Sequence, residues 1–153
     1  MEGRIGRAGG RAGMRMPWHV RLLGAVFLLY SLAAAFDHVM SLALGAQFYR
    51  ASGMSEAQVA WFSQVPAWAM LGWTAAVWGG LAGALSLLMR SSFAAASFAL
   101  SLAGGLVYML HALVLGDGRA MLGALWMMPL VIAVLTASLA LYSRRLAQRG
   151  VLR

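Results

Sequence analysis

The chain has 153 residues, of which 62% are apolar and 10% charged, and its formal charge is +8. A soluble domain usually carries about 25% charged residues, so these values exclude an ordinary soluble domain, a disordered chain and a nucleic-acid-binding domain built on a basic surface. Cysteine is absent, which excludes disulfide frameworks, thiol catalysis and thiolate metal sites.

Residues 1–16 mix Gly3, Gly6, Gly9, Gly10 and Gly13 with Arg4, Arg7, Arg11 and Arg15. Such a segment cannot bury a core and is expected to be disordered. It reads as a topology signal, or as a contact for anionic headgroups. An α-helix crossing a bilayer needs roughly 20 predominantly apolar residues, and four such runs follow. Their approximate bounds are 20–47, 63–89, 92–115 and 120–142. The expected fold is therefore an all-α membrane protein, four transmembrane helices in an up-down-up-down bundle. Residues 17–143 form its transmembrane domain and 144–153 a basic cytoplasmic tail.

In the first span the apolar run from Leu22 to Leu32 ends on Ala33, Ala34 and Ala35, the order of a cleavable signal peptide. The run continues through Val39, Leu42 and Leu44, which favours a full span. Residues three, four and seven apart share a helix face. Tyr30, Ser31, Ala34, Asp37, His38, Ser41 and Gly45 thus form one polar or small stripe, expected to face inward. In the following loop, Ser55 and Gln58 have capping-box spacing and Met54 with Val59 fits a hydrophobic staple, so a short helix is expected from Glu56. Trp61 and Phe62 on it would lie at headgroup level.

The second span presents Trp68, Gly72, Ala76, Gly79, Gly83 and Ser86 on one face, and the third presents Ser97, Ser101, Gly104, Tyr108 and His111. Small residues let membrane helices approach closely, so Gly72, Gly79, Gly83 and Gly104 are the candidate packing positions. Gly116-Asp117-Gly118-Arg119 reads as a tight turn. The fourth span carries Trp126, Pro129, Ala133, Thr136 and Ala140 on one face, and Pro129 is expected to kink it.

Ten of the twelve arginines flank the spans on one side, and only Arg50 and Arg119 occupy the opposite loops. Positively charged flanks stay cytoplasmic, which puts both termini there. From the rise of 1.5 Å per residue, Asp37, His38, Tyr108, His111, Trp73 and Trp126 all fall roughly 6 to 11 Å from the bilayer centre, on the non-cytoplasmic side. Together with Ser41 they are the candidate binding residues. Asp37 is the only acid within a span. An aspartate near a helix centre costs about 2.5–3.5 kcal/mol on insertion scales, so it reads as a proton, cation or substrate site, or as a hydrogen-bonding group joining helices. His38 and His111 suit a polar pocket, a proton relay or axial haem ligation, against the reading of two histidines in ordinary hydrogen bonds.

Phe36-Asp37-His38-Val39-Met40, with Pro66, Trp68, Trp73, Gly79-Gly80 and Gly83, resembles a group of short bacterial four-helix membrane proteins of unknown function, some labelled sugar transporters. The resemblance implies a multi-pass bacterial inner-membrane protein and no catalytic residues. Three functions stay open. One is a transporter or channel-like protein for a small solute, with Asp37 as coupling or recognition site. Another is a non-catalytic subunit or assembly factor of a larger complex, and the third a haem- or quinone-binding protein. The partners expected are the lipid bilayer and a second copy or a larger membrane complex, not nucleic acid. No metal or cofactor is assigned, and no nucleophile–base pair points to an enzyme.

Overall fold

Glycines and prolines punctuate the apolar runs, and in the computed structural model, which describes residues 17–152, those runs fold as helices with no strand among the described residues. Helix α1 is Trp18–Leu44, α2 Ala46–Ala51, α3 Glu56–Ser63 and α4 Ala67–Leu88. Helix α5 is Phe93–Met109 and continues through a π-helical turn, Leu110–Leu115; α6 is Gly118–Leu122 and α7 Met128–Gln148. Four of these, α1, α4, α5 with its π turn, and α7, are long and apolar enough to cross a membrane.

The ends have local causes. Helix α1 stops at Gly45, whose φ of 52° suits a residue without Cβ. The capping box on α3 is formed in both directions: Gln58 N–H donates to Ser55 Oγ at 3.3 Å, and Ser55 N–H to Gln58 Oε1 at 2.9 Å. Pro66 then precedes α4. Gln64 to Pro66 separate the short helix α3 from the second span, which starts at Ala67, four residues after its expected bound. The fourth differs most from expectation. Pro129 lies in the first turn of α7, where a missing N–H costs nothing, so it starts this helix and does not kink it. The apolar residues before it form α6 and a 3-10 turn broken at Gly123, φ 54°.

The spans lie in the order α1, α4, α5, α7, each packed on the next. At the centre, α4 and α5 touch backbone to backbone. A Cβ added to Gly104 would lie 2.5 Å from Gly72 O and 2.7 Å from Ala76 N; one on Gly79 would meet Ser101 N at 2.8 Å. Ser101 Oγ seals the contact by donating to Ala76 O at 2.6 Å. Helix α1 buries a narrow stripe, Val20, Gly24, Phe27, Ser31, Ala35, His38 and Ser41, and leaves most of its remaining surface exposed.

The edge helices α1 and α7 meet only near one end, through a core built on Phe98 together with Val20, Leu139 and Leu146. Val151 and Leu152, beyond the end of α7, belong to that core. Gly150, at φ 72°, lets Val151 N–H return to Leu146 O and Gly150 N–H to Ala147 O, a Schellman turn that buries Val151 and Leu152. Helix α4 ends on the same motif with Arg90 in the left-handed position, φ 60°. The arginine side chain is used there, since its Nε and an Nη donate to Val151 O at 3.3 Å.

Candidate functional site

Because α1 and α7 diverge from their common end, a half-open groove of about 220 Å³ remains between them, floored by α4 and α5. Its walls are mostly apolar, among them Phe27, Ala34, Val77 and Ile132. Into them are set the hydroxyls of Tyr30, Ser31, Ser101, Tyr108 and Thr136, with Trp73 and Pro129 toward one end. Thr136 and Ser101 are already committed to backbone carbonyls. Ser31 Oγ, in the middle of α1, is buried and has no partner among the described residues. Gly105 keeps the floor open, since an added Cβ would meet only Ala76 Cβ, at 3.9 Å.

His38 lies beside this groove, 1% exposed, with its ring edge-on to Trp73 at 4.6 Å. Trp73 in turn faces Tyr108, 5.9 Å away, so three of the candidate residues form one aromatic row. His38 Nε2 is 3.2 Å from Thr74 Oγ1, and that hydroxyl gives its one proton to Met70 O at 2.9 Å. Nε2 therefore carries the imidazole proton and Nδ1 is left as an acceptor, buried and unpaired among the described residues. Ser41 Oγ, one turn on, is likewise buried without a partner there. Thr74 is the member of this site that sequence reasoning missed, because it falls outside the small-residue face of its span. The signal available was a lone hydroxyl next to Trp73.

Other candidates lie elsewhere. Asp37 is on the exposed side of α1 and makes no hydrogen bond or ion pair with any described residue. The expected inward orientation is corrected: α1 buries a strip only one side chain wide, and His38 occupies it at that level. Asp37 continues the row of Tyr30 and Ala34 one turn past the groove. His111, on the π turn, stacks on Trp61 at 5.8 Å and meets Trp68 edge-on at 5.7 Å. The two histidines thus have separate surroundings and share no partner among the described residues. Trp126 holds Arg119 over its ring, 5.5 Å from the centroid, and is not in the groove. Gly72, Gly79, Gly83 and Gly104 are all at the α4–α5 contact, with Gly83 seated under the Phe98 ring.

Over the end of the bundle near α3, Gln58 Nε2 donates to Met121 O at 2.8 Å and fastens α3 to α6. Arg50 and Glu56 pair through two hydrogen bonds of 2.8 and 3.0 Å. Those bonds hold the Glu56 carboxyl below the usual glutamate range and raise the Arg50 guanidinium. Both side chains are exposed, so the pair orders the loop more than it stabilises the fold.

Comparisons with protein-family models, curated proteins and solved structures find no match to this chain.

Proposed function

We propose that the protein is a small multi-pass carrier of a bacterial inner membrane. In this reading its four spans cross up-down-up-down with both termini cytoplasmic, and a small, largely apolar solute is taken up in the groove between α1 and α7. The single observation that carries the reading is a half-open intramembrane groove walled by all four spans and holding an unpaired serine, Ser31 Oγ. A buried hydroxyl without a partner is costly, and a ligand bearing a hydrogen-bond donor or acceptor would satisfy it. Asp37, one turn past the groove on the row of Tyr30 and Ala34, supplies a protonatable group at its mouth. The likeness of residues 36–40 to short bacterial membrane proteins supports the assignment to that membrane.

A cysteine-free chain makes the test direct. Ser52→Cys and Gln148→Cys mark the two sides, the first expected to react with an impermeant thiol reagent in intact cells and the second to be protected. Ala133→Cys, in the groove wall, should react from the Ser52 side. Adding Gly105→Phe should block that reaction, since Gly105 lines the groove and its side chain would project into that space past Ala76 Cβ, 3.9 Å from the Cβ position. Labelling of Ala133→Cys solely by a lipid-soluble maleimide, unaffected by Gly105→Phe, would remove the carrier reading.

One observation favours a second reading, a membrane subunit. Asp37 is exposed within a span, where a carboxyl facing lipid is expensive and a partner helix would relieve the cost. Asp37→Leu should then release a stable partner or second copy on gentle detergent extraction, and Asp37→Asn should retain it. Identical single-chain particles for wild type and both variants would count against a subunit. If Asp37 instead couples transport, Asp37→Asn should insert normally and lose solute accumulation.

A further inference from the structure

At the end of the bundle opposite α3, a second cavity of about 370 Å³ opens beside the start of α1. Tyr142, Arg145, Leu146 and Arg149 line it from α7, and their spacing of three, four and seven places them on one helix face. His19 faces them from α1, its Nε2 3.0 Å from Tyr142 OH. Leu146 and Val151, buried by the Schellman turn, give it an apolar wall.

Among the described residues no acid offsets these arginines. The acids there are Asp37, Glu56 and Asp117, on the far half of α1 and in the loops of the other end, and the ion pair found at that end is Arg50–Glu56. Two guanidiniums one turn apart, next to a phenol and an imidazole, offer several N–H and O–H donors to one anion. A tetrahedral oxyanion accepts such convergent donors, and arginine is the residue that binds phosphate in this way. The cavity also lies at a definite depth. Trp18, 75% exposed at the first turn of α1 and edge-on to the His19 ring, is an interfacial side chain, and bare apolar helix surface begins at Leu22 and Leu141.

We propose that this cavity is a phosphate site for an anionic lipid headgroup, with Arg145 and Arg149 as the cationic ligands, Tyr142 and His19 as hydrogen-bond partners, and the Leu146–Val151 wall against the glycerol end. The same phosphate chemistry could be met by a free soluble phosphate, so the experiment carries both.

Thermal unfolding of the full-length chain in neutral detergent would be followed while phosphatidylglycerol, phosphatidylcholine or inorganic phosphate is added. Phosphatidylglycerol should raise the midpoint at micromolar concentration and phosphatidylcholine should not. Arg145→Gln with Arg149→Gln should weaken the apparent affinity about a hundredfold, roughly tenfold for each charge-assisted hydrogen bond to the phosphate that is removed. The charge-matched pair Arg21→Gln with Arg144→Gln, both outside the cavity, should shift it by less than about threefold. All four arginines are accessible at the surface, so folding is expected to survive in both variants. Tyr142→Phe, which keeps every charge, should cost about tenfold and supplies a second measurement. Equal protection by inorganic phosphate would keep the site and make its ligand soluble. Equal losses in the two charge-matched pairs, or no protection by either phosphate, would overturn the proposal.

Discussion

Gly104→Val should disassemble the bundle. The new Cβ would fall 2.5 Å from Gly72 O and 2.7 Å from Ala76 N, and both are backbone atoms of a helix that cannot turn aside as a side chain can. The α4–α5 axes must separate, breaking the 2.6 Å bond from Ser101 Oγ to Ala76 O and the seat that Gly79 gives Ser101. Overpacking typically costs about 1–3 kcal/mol and occasionally more, and a clash with backbone on both sides puts this site at the upper end. In a membrane little offsets it, because lipid solvates the parted apolar faces as well as the partner helix does. The measurement is reversible unfolding in mixed micelles, with Gly105→Ala as control. That neighbouring glycine has only Ala76 Cβ within 4 Å, and its replacement should be neutral or stabilising by up to about 1 kcal/mol. A Gly104→Val chain as stable as wild type would mean that the α4–α5 contact is not what holds the spans together.

The second large effect is expected at Phe98, which is fully buried, edge-on to Phe27 at 5.5 Å and lodged over Gly83. Truncating a core phenylalanine in water costs about 3–5 kcal/mol, part of it transfer and part the cavity left behind. Lipid removes most of the transfer part, so Phe98→Ala should destabilise by about 2 kcal/mol here, mainly through poorer packing. Gly83 is coupled to it, since a methyl there would sit 2.6 Å from the Phe98 ring. Gly83→Ala alone should destabilise, whereas Gly83→Ala with Phe98→Leu should recover part of the loss. Strict additivity of the two substitutions in the same unfolding assay would show that the ring does not rest on the glycine.

Spans and packing glycines were legible because both follow from length and spacing alone. A run of apolar residues has to be helical in lipid, and glycines four or seven apart permit a close approach there. The fourth span shows where the reading stops. Ala120–Met127 and Met128–Tyr142 are both apolar, and the break between them is local, a positive φ at Gly123 followed by the 3-10 turn. Pro129 could interrupt a helix or begin one, and spacing does not choose between these. Residues 144–153 read as a basic tail because their arginines are obvious, while the burial of Val151 and Leu152 rests on a turn at Gly150 whose Val151 O accepts from Arg90, about sixty residues away in sequence. The inward face of α1 stopped being legible in a similar way. A stripe containing both Asp37 and His38 spans about 100° of helix surface, yet α1 touches α4 along a much narrower line, so one of two adjacent polar residues had to be turned outward. Expected disorder in residues 1–16 lies outside the described residues.

The order of the helices bears on biogenesis. Synthesis delivers α1 first, yet everything α1 packs on arrives later: Thr74, the partner of His38, and the α4 face that covers Ser31 and Ser41. During that interval the nascent first helix carries an imidazole and two hydroxyls with nothing of its own chain to shield them. Helices α4 and α5 are joined by a short turn and share the closest backbone contact described above, so the hairpin is expected to form first and α1 to dock back onto it. A delay between the first and second spans would therefore leave α1 as the segment in need of an insertion factor or chaperone, and its polar stripe as the surface such a factor would hold.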